Sequence, residues 1–298
     1  MAKYLGIDVG ATWTRAILVD EGGSVLSRAK IRTGVSPVAE IAEVVAGWDF
    51  DAVGVGSIGP MDLKTGVVVN SPNSPSRRFP LVEPLKRFKR PVVVANDCVA
   101  AVWGEYVFKY HVDNMAYLTL STGVGVGAIV NGVLLLGKDG NAHELGHAVI
   151  DFKSPRRCGC GGLGHFEAFV GGANMPSFYQ EVAGEGPLLP EEIFKRAREG
   201  YRKAVEFLDV WLDALAAGVA TILAAYDPEL LIVGGSIALN NWDIVGRELP
   251  KRLVKYLGVR GAEIRPASFG DDEVAIGAAA LAYKTPETLK KFGYPRSP

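Results

Sequence analysis

The chain has 298 residues, of which 48% are hydrophobic and 22% are charged, and its formal net charge at pH 7 is -1. This length can bury a large core and predicts two domains. The balanced charge and the lack of basic, aromatic-interleaved runs exclude a nucleic-acid-binding protein, and three unevenly spaced cysteines exclude a disulfide framework.

The first predicted element is a strand–turn–strand unit over residues 4–20. An apolar run over 4–7 predicts a buried strand, and residues 16–19 predict the returning strand of a hairpin. Backbone N–H groups of such a turn can hold a phosphate, and a carboxylate beside it can hold a magnesium ion or its waters. The small, hydroxylated or acidic residues of this turn are Asp8, Gly10, Ala11, Thr12 and Thr14.

Strands and helices then alternate, which is typical of an α/β layer. Helices are expected over 37–48, 81–88 and 98–110, and strands over 52–56, 67–69 and 91–95. Asn96 and Asp97 follow the last of these strands, where α/β folds place ligands. Asp97 is therefore a candidate general base that accepts a proton from a hydroxyl as it attacks phosphorus. The alternative is an ordinary helix N-cap, a position that favours Asp.

Residues 117–131 match residues 4–18 without a gap. In this match Gly123 corresponds to Gly10 and Ser121 to Asp8, so the second copy lacks the acid. The pair indicates a duplicated fold that binds a nucleotide between its halves, and the alternative is two ordinary hairpins with glycine turns. The Rossmann and P-loop signatures are absent, which argues against either of those sites.

The next stretch, 136–164, is rich in Gly, Cys and His. His143 to His147 matches H-E-x-x-H, a zinc-protease motif that needs a sustained helix. Gly146 inside the motif and the strand predicted over 148–152 argue against this helix. A protease is therefore the less favoured interpretation.

A structural zinc site is favoured instead. His147 is followed by Cys158, Cys160 and His165, and two thiolates with two imidazoles suit a closed tetrahedral site. The alternatives are reduced surface cysteines or a redox pair. Glu144 and Glu167 adjoin these residues, and their acceptor-only carboxylates suit sugar hydroxyls, which must donate.

Beyond this stretch, helices are predicted over 166–170, 190–198, 202–226, 242–256 and 273–283, and strands over 230–233 and 263–266. The predicted domains are residues 1–112 and 113–272, with a C-terminal helix over about 273–290 that packs back on the first. The longest apolar stretch, 214–226, is too short to span a bilayer, and no signal peptide is recognised. We expect a soluble cytoplasmic protein, and its single glutamine hints at a hot habitat.

Together these motifs resemble the ROK family (repressors, open reading frames, kinases) of sugar kinases, over nearly the whole chain. Residues 8–12 resemble its first phosphate motif, 120–125 its second, and 233–236 its adenosine motif. The stretch 66–105 resembles its sugar-binding segment, and 144–167 its Cys/His signature. One departure is His165, where the family usually has a third cysteine.

The resemblance implies an α/β, two-domain actin/hexokinase-like (ribonuclease H-like) duplicated fold, with an interdomain cleft that closes on the sugar. It implies ATP-dependent phosphorylation of the 6-hydroxyl of a hexose, most simply glucose, with Asp97 as the base, Mg²⁺ assisted by Asp8, and a homodimer or homotetramer. The implied sugar ligands are Asn73, Asn96, Asp97, Glu144, His147 and Glu167. The implied nucleotide ligands are Asp8, Gly10, Ala11, Thr12, Thr14, Thr122, Gly123, Gly234, Gly235 and Ser236. The implied zinc ligands are His147, Cys158, Cys160 and His165.

Several alternatives stay open at this point. The sugar could be fructose, mannose, glucosamine or N-acetylmannosamine, and the donor could be ATP or polyphosphate. A sugar-sensing repressor on the same fold is the rival of another class. Such relatives carry a winged helix-turn-helix before the first phosphate motif, and here that motif begins at residue 5, so we expect a kinase.

Overall fold

The computed structural model describes residues 2–71 and 74–297. The chain forms two compact units. Unit 1 comprises Met1–Met115, Gly127–His143 and Ser268–Pro298, and unit 2 comprises Ala116–Val126 and Glu144–Ala267. The predicted division at residue 112 differs from these units, because the segment 127–143 also groups with unit 1.

In chain order the strands are β1 (Lys3–Val9), β2 (Trp13–Asp20), β3 (Val25–Arg32), β4 (Ala52–Ser57), β5 (Met61–Asp62), β6 (Val67–Val68), β7 (Phe79–Pro80), β8 (Val92–Asn96), β9 (Met115–Leu120), β10 (Val124–Val130), β11 (Val133–Leu134), β12 (Leu230–Gly234) and β13 (Glu263–Pro266). The α-helices are α1 (Pro37–Val44), α2 (Asp97–Glu105), α3 (Phe166–Val170), α4 (Met175–Ala183), α5 (Pro190–Arg198), α6 (Arg202–Tyr226), α7 (Ser236–Asn240), α8 (Trp242–Leu253), α9 (Glu273–Tyr283) and α10 (Glu287–Lys290). Shorter 3-10 segments lie at Glu83–Phe88, Leu145–His147 and Gly270–Asp272, and a π-helical segment lies at Tyr106–Tyr110.

The main sheet of unit 1 has the order β3-β2-β1-β4-β8. Strands β1, β2 and β3 pair antiparallel, whereas β1, β4 and β8 pair parallel. The predicted first hairpin is confirmed, with Val9 opposite Thr14 at its turn. Strand β3 was not predicted, because it alternates exposed and half-buried residues and so lacks a continuous apolar run.

Helix α9 lies directly on this sheet, and glycines in the strands make that approach possible. A Cβ added to Gly6 would lie 1.8 Å from the Ala275 carbonyl oxygen, and one added to Gly54 would lie 1.7 Å from that of Ala278. Only glycine fits at such distances. The packing of α2 on α9 is similarly close, since a Cβ on Gly104 would lie 2.7 Å from the Gly277 Cα.

Two segments of unit 1 that were predicted as α-helices have another helix type in the structure, in whole or in part. The segment predicted over 81–88 is a 3-10 helix over Glu83–Phe88, and the one predicted over 98–110 ends as a π-helical segment after Glu105. Strands β5, β6 and β7 form a separate small sheet in that order. Residues 72 and 73 belong to the β6–β7 connection, and the predicted sugar ligand Asn73 therefore lies outside the described residues.

The second sheet has the order β11-β10-β9-β12-β13, and the division between the units falls within β10. The second predicted hairpin is confirmed as β9–β10. The turn of this second hairpin begins earlier than the gapless sequence match with the first hairpin predicts. Strand β1 continues past Asp8 to Val9, whereas β9 ends at Leu120, so Ser121 already belongs to the turn.

Helix α6 is the central helix of unit 2. It is long and apolar enough to cross a membrane by length and composition, with a mean hydropathy of 1.7 over its most apolar window, and 56% of that window is buried. Its Phe207 and Trp211 are fully buried and pack edge-on against Phe178 and Phe194 respectively. These contacts are those of a core helix.

Candidate functional site

Two carboxylates lie at the carboxyl ends of parallel strands in unit 1. Asp8 is 7% exposed and pairs with Arg15, whose Nη1 lies 3.2 Å from Oδ2. Burial raises the pKa of Asp8 to about 7, Arg15 opposes that rise, and the charge of Asp97 adds to it. The two acids are therefore close enough to interact. The register Val9–Ser57–Asn96 agrees, since it places the ends of β1 and β8 two strand spacings, roughly 10 Å, apart.

Asn96 and Asp97 begin helix α2. Asn96 is the N-cap, and its Oδ1 accepts from the Cys98 N–H at 2.9 Å. Asp97 is the first helical residue, and its Oδ1 accepts from the same N–H at 2.8 Å. Both side chains therefore bond a first-turn N–H, as the capping alternative expected, with Asn96 at the N-cap position. A carboxylate has about four acceptor positions, so a single bond to this N–H does not saturate it.

The first phosphate turn is ordered by Thr33, a residue that the sequence did not single out. Its Oγ1 donates to the Gly10 carbonyl at 2.8 Å, and its N–H donates to the Thr12 carbonyl at 3.0 Å. Gly10 donates its own N–H to Trp13, which closes the turn. Thr14 is fully buried, and its hydroxyl lies 3.0 Å from that of Thr33, so the two hydroxyls support the turn from within; a contact of Thr14 with a phosphate stays a prediction.

The second phosphate turn lies in unit 2. Thr122 is exposed at its tip. The Gly172 N–H donates to the Ser121 carbonyl at 2.8 Å, and the Ala173 N–H donates to the Thr122 carbonyl at 3.0 Å. Sequence reasoning missed these supports, although the Gly171-Gly172 dipeptide after α3 was a readable turn signal.

The predicted adenosine motif adjoins this second turn. Gly235 has a φ of 85°, and an added Cβ would lie 2.3 Å from the Leu120 carbonyl oxygen, so both conformation and space require glycine. A Cβ on Gly234 would lie 2.2 Å from the Tyr117 hydroxyl. Ser236 begins α7, and its Oγ lies 3.4 Å from that of Ser121. The structure thus brings the second phosphate motif and the adenosine motif together.

The four predicted zinc ligands form one cluster. The ligand atoms of His147, Cys158, Cys160 and His165 all lie within 4.8 Å of one another. The Sγ–Nδ1 distance is 3.7 Å from Cys158 to His147 and 3.3 Å from Cys160 to His165. Tetrahedral zinc with ordinary Zn–S and Zn–N bonds puts its ligand atoms about 3.6 Å apart. The cluster therefore has the chemistry and spacing of a structural zinc site, with His165 in a ligand position.

The protease interpretation is wrong for this chain. The motif contains only a 3-10 turn over Leu145–His147, and the strand predicted after it is reduced to one bridge between Val149 and His165. His143 is 2% exposed, its Nε2 lies 2.8 Å from the Gly140 carbonyl oxygen, and it is not a member of the metal cluster. Gly146 lies inside the motif. The fold requires glycine there, because an added Cβ would lie 2.2 Å from the Val124 carbonyl oxygen.

The predicted sugar-binding residues of unit 2 surround the cluster. Glu144 Oε2 lies 3.6 Å from His147 Nε2, so His147 presents one ring nitrogen to a carboxylate and the other to Cys158. The Cys158 thiol donates to Glu167 Oε1 at 3.2 Å. Burial, assisted by the neighbouring Glu167 carboxylate, raises the pKa of this thiol to about 12. A bound cation would therefore be needed to hold Cys158 as a thiolate.

Comparison with known proteins identifies the family. The model of the ROK family matches residues 4–285. The chain belongs to the ROK family. A glucokinase of Aeropyrum pernix is 39% identical and is covered over 100% of its length by 98% of this chain. A glucokinase of Thermotoga maritima is 34% identical, with 94% of this chain and 96% of that protein covered.

Solved ROK structures have the same fold. A ROK family glucokinase from Streptomyces griseus, in complex with glucose and AMPPNP, is 30% identical, covers 94% of this chain and 99% of its own, and has a TM-score of 0.80. A ROK hexokinase from Thermus thermophilus is 31% identical, with coverages of 94% and 98% and a TM-score of 0.82. These matches confirm the α/β, actin/hexokinase-like fold class and an ATP-dependent sugar kinase.

Proposed function

We propose that this ROK-family enzyme transfers the γ-phosphoryl group of ATP to the 6-hydroxyl of glucose. The observation that carries the proposal is the pair of carboxylates, Asp8 and Asp97, at the carboxyl ends of β1 and β8, which lie on either side of β4 in the sheet of unit 1. One acid suits a hard cation and the other suits a hydroxyl proton. The glucokinase names of the relatives from Aeropyrum pernix and Thermotoga maritima support glucose as the acceptor.

Asp97 would accept the proton of the 6-hydroxyl as that oxygen attacks the γ-phosphorus. Asp8 would hold Mg²⁺ or its waters, and the ion would supply positive charge that neutralises the phosphates. The exposed tips of the two turns, Thr12 and Thr122, and the backbone around Ala11 and Gly123 would hold the phosphates. In phosphoryl transfer such positioning and electrostatic stabilisation account for most of the catalysis.

The other sugar hydroxyls would donate to the carboxylates of Glu144 and Glu167. His147 would add its Nε2, and Asn96 would add its amide nitrogen because its oxygen is occupied as the helix cap. Asn73 is the further proposed ligand, on the β6–β7 connection. Carboxylates accept and cannot donate when ionised, so they select for hydroxyl-rich ligands.

Zinc would be held by His147, Cys158, Cys160 and His165. Four protein ligands leave no open coordination position, so the ion would shape the loop and activate no water. The Nδ1 of His147 faces the cluster and its Nε2 faces Glu144, so a bound ion would fix the orientation of this ring. We also propose a cytoplasmic homodimer or homotetramer, which light scattering on a size-exclusion column would test.

A coupled ADP-release assay tests the proposal. Glucose, fructose, mannose, glucosamine and N-acetylmannosamine are each offered with ATP or polyphosphate, and Mg²⁺ is omitted in a parallel series. The expected result is the highest kcat/KM for glucose with ATP, and no turnover without the divalent cation. Equal or better turnover of another sugar would overturn glucose as the substrate, and no turnover of any sugar would overturn the kinase assignment.

N-acetylmannosamine is the second candidate acceptor. N-acetylmannosamine kinases of Haemophilus influenzae are 30% identical to this chain over 93% of its length. The higher identity of the glucokinases favours glucose, and the same sugar panel separates the two. The hot habitat suggested by composition stays a prediction, which a thermal melt checks.

A further inference from the structure

The chain continues past the part that matches the ROK family model, which ends at residue 285. After α10 the C-terminal segment returns to the main sheet of unit 1. The Val92 N–H donates to the Arg296 carbonyl at 3.0 Å, and the Arg296 N–H donates to the Val92 carbonyl at 2.9 Å. Strand β8 is the last strand in the sheet order, so Arg296 covers part of its outer edge.

The side chain of Arg296 binds a turn elsewhere in the same unit. Its Nη2 donates to the Leu63 carbonyl at 2.8 Å and to the Lys64 carbonyl at 2.5 Å, and its Nη1 donates to the Thr65 carbonyl at 3.2 Å. A planar guanidinium carries enough donors for three carbonyls at once, whereas an ammonium group does not match this fork. Arg296 is therefore bound to three consecutive peptide groups of the β5–β6 turn.

Tyr294 reinforces the same contact. Its hydroxyl donates to the Leu63 carbonyl at 2.9 Å, and the Arg296 Cζ lies 4.6 Å from the centre of its ring. Tyr294 is 2% exposed. A buried tyrosine hydroxyl with a partner and a stacked guanidinium form a rigid unit rather than a loose tail. We call Tyr294 and Arg296 the C-terminal clasp.

The turn that the clasp holds is fixed from its other side as well. Asp62 Oδ1 accepts from the Lys64 N–H at 2.8 Å and from the Thr65 N–H at 3.3 Å. Asp62 thus binds N–H groups of the turn, and the clasp binds carbonyl groups of the same turn. Gly66 completes the turn with a φ of 71°, and an added Cβ would lie 3.3 Å from the Tyr294 hydroxyl.

This turn leads toward two proposed sugar-binding residues, Asn96 of unit 1 and Glu144, which directly follows the 127–143 segment of unit 1. Toward the N-terminus, β5 follows Gly59, and a Cβ added there would lie 3.8 Å from Asn96 Nδ2. Through space, the buried side chain of Leu63 packs on Gly140, where an added Cβ would lie 2.5 Å from Leu63 Cδ1. The Gly140 carbonyl oxygen lies 2.8 Å from His143 Nε2, one residue before Glu144.

We propose that the C-terminal clasp positions the sugar-binding segments of unit 1 and thereby sets the KM for the sugar, without touching the substrate. The clasp holds the β5–β6 turn, and the turn holds the backbone next to Asn96 and the segment that precedes Glu144. Tyr294 and Arg296 are positioning residues. The inference rests on the proposed function of Asn96 and Glu144 as sugar ligands.

The test compares Arg296→Ala, Arg296→Lys and Tyr294→Phe with the unaltered enzyme, using the hexose that it phosphorylates best. We expect the KM for the hexose to rise roughly tenfold in Arg296→Ala, since small displacements of binding groups have effects of this size or larger. The kcat and the KM for ATP should stay within about twofold. Arg296→Lys should rescue little, because one ammonium nitrogen cannot replace the two nitrogens, Nη1 and Nη2, that bind the three carbonyls. Arg90→Ala, an exposed arginine of unit 1, is the matched control and should change nothing.

Hydrogen exchange measured by mass spectrometry gives a readout that does not depend on activity. Residues 61–68 should exchange faster in Arg296→Ala, while α6 exchanges as before. Tyr294→Phe, which removes one hydroxyl, serves if Arg296→Ala does not fold. An active enzyme with an unchanged hexose KM in all variants would overturn the clasp and leave the kinase proposal standing. An unaltered enzyme without activity on any sugar would overturn the kinase proposal, and unchanged exchange over 61–68 would then overturn the clasp as well.

Discussion

The two glycine-turn hairpins, β1–β2 and β9–β10, have the same strand–turn–strand form and obtain their acid in different ways. In the first, Asp8 belongs to the strand itself and pairs with Arg15 on the partner strand. In the second, Ser121 stands at the matched position, and the acid comes from helix α3. Glu167 Oε2 accepts from the Val124 N–H at 2.9 Å, and an added Cβ at Gly123 would lie 2.6 Å from it.

This difference indicates different roles for the acids of the two turns. The acid of the first turn, Asp8, pairs only within its own hairpin among the contacts described above, and we propose that it holds a cation. The acid of the second turn also contacts Cys158, so this turn is tied to the Cys/His loop through one side chain, Glu167. Hydrogen bonds to a charged group contribute about 1.5–3 kcal/mol, which is enough to transmit a change in the loop to the turn.

The largest expected effect tests the acid beside the first hairpin. Asp97→Ala should lower kcat by roughly 10²-fold or more, because a general base contributes on that scale. Asp97→Asn keeps the size and the bond to the Cys98 N–H but cannot take a proton, so it should be nearly as slow. Steady-state kinetics with saturating sugar and ATP measure both. Turnover close to that of the unaltered enzyme in either variant would exclude Asp97 as the base.

A second test contrasts the matched positions directly. Asp8→Asn should lower kcat/KM for ATP by roughly tenfold or more and raise the Mg²⁺ concentration needed for half-maximal rate, since an amide is a weaker ligand for a hard cation than a carboxylate. Ser121→Ala should have a much smaller effect. The rate is measured as a function of Mg²⁺ concentration. Equal effects at the two positions would contradict the proposal that only the first hairpin supplies a ligand for the cation.

A third test uses the metal loop. Cys158→Ser should lose bound zinc, measured by elemental analysis, and should raise the KM for the sugar roughly tenfold, because loss of a ligand to a closed site loosens the loop. The KM for ATP should also rise in this variant, since Glu167 links Cys158 to the second turn. Lys153→Ala, an exposed change on the same loop, is the control. A protein that never binds zinc would contradict the cluster assignment.

The smallest expected effect concerns a third kind of acid, the buried pair of Glu105 and Glu273. Glu105 accepts from the backbone N–H of Ser268 at 2.6 Å and Glu273 from that of Phe269 at 3.0 Å, while Glu105 Oε2 and Glu273 Oε1 are buried without a hydrogen-bond partner among the described residues. Burial raises the pKa of both, and the charge of Glu105 adds to the rise at Glu273. Unlike Asp8, neither has an arginine partner among these contacts, so the folded state retains a proton.

The direction of the pH effect follows from this proton. Because the folded pKa is raised above the ordinary value of 4.5, the stabilisation is complete below pH 4.5 and is lost as pH rises through the folded pKa. Glu273→Gln keeps an oxygen for Phe269 and donates to Glu105 at any pH. The melting temperature of the unaltered protein should therefore fall more steeply between pH 5 and 8 than that of the variant, by a few degrees, or about 1 kcal/mol. The exposed Glu263→Gln is the control, and parallel melting curves would refute a shared proton.

The sequence alone determined the elements whose signal is local. Apolar runs bounded by turns located both hairpins, strand β8 and helix α6, and the spacing of His147, Cys158, Cys160 and His165 determined the metal cluster, because a short loop keeps its ligands near one another. The family motifs, which are also local, determined the class of enzyme.

Tertiary structure decided which groups remain available for chemistry. The sequence shows Thr14 as a hydroxyl beside the first turn, and only the fold shows that this hydroxyl pairs with that of Thr33, nineteen residues away. Glu167 acquired its link to Val124, and Arg296 its three carbonyls, only through folding, since these contacts span 43 residues or more. A sequence shows which donors and acceptors exist, whereas their partners depend on which distant backbone groups the packed fold leaves beside them.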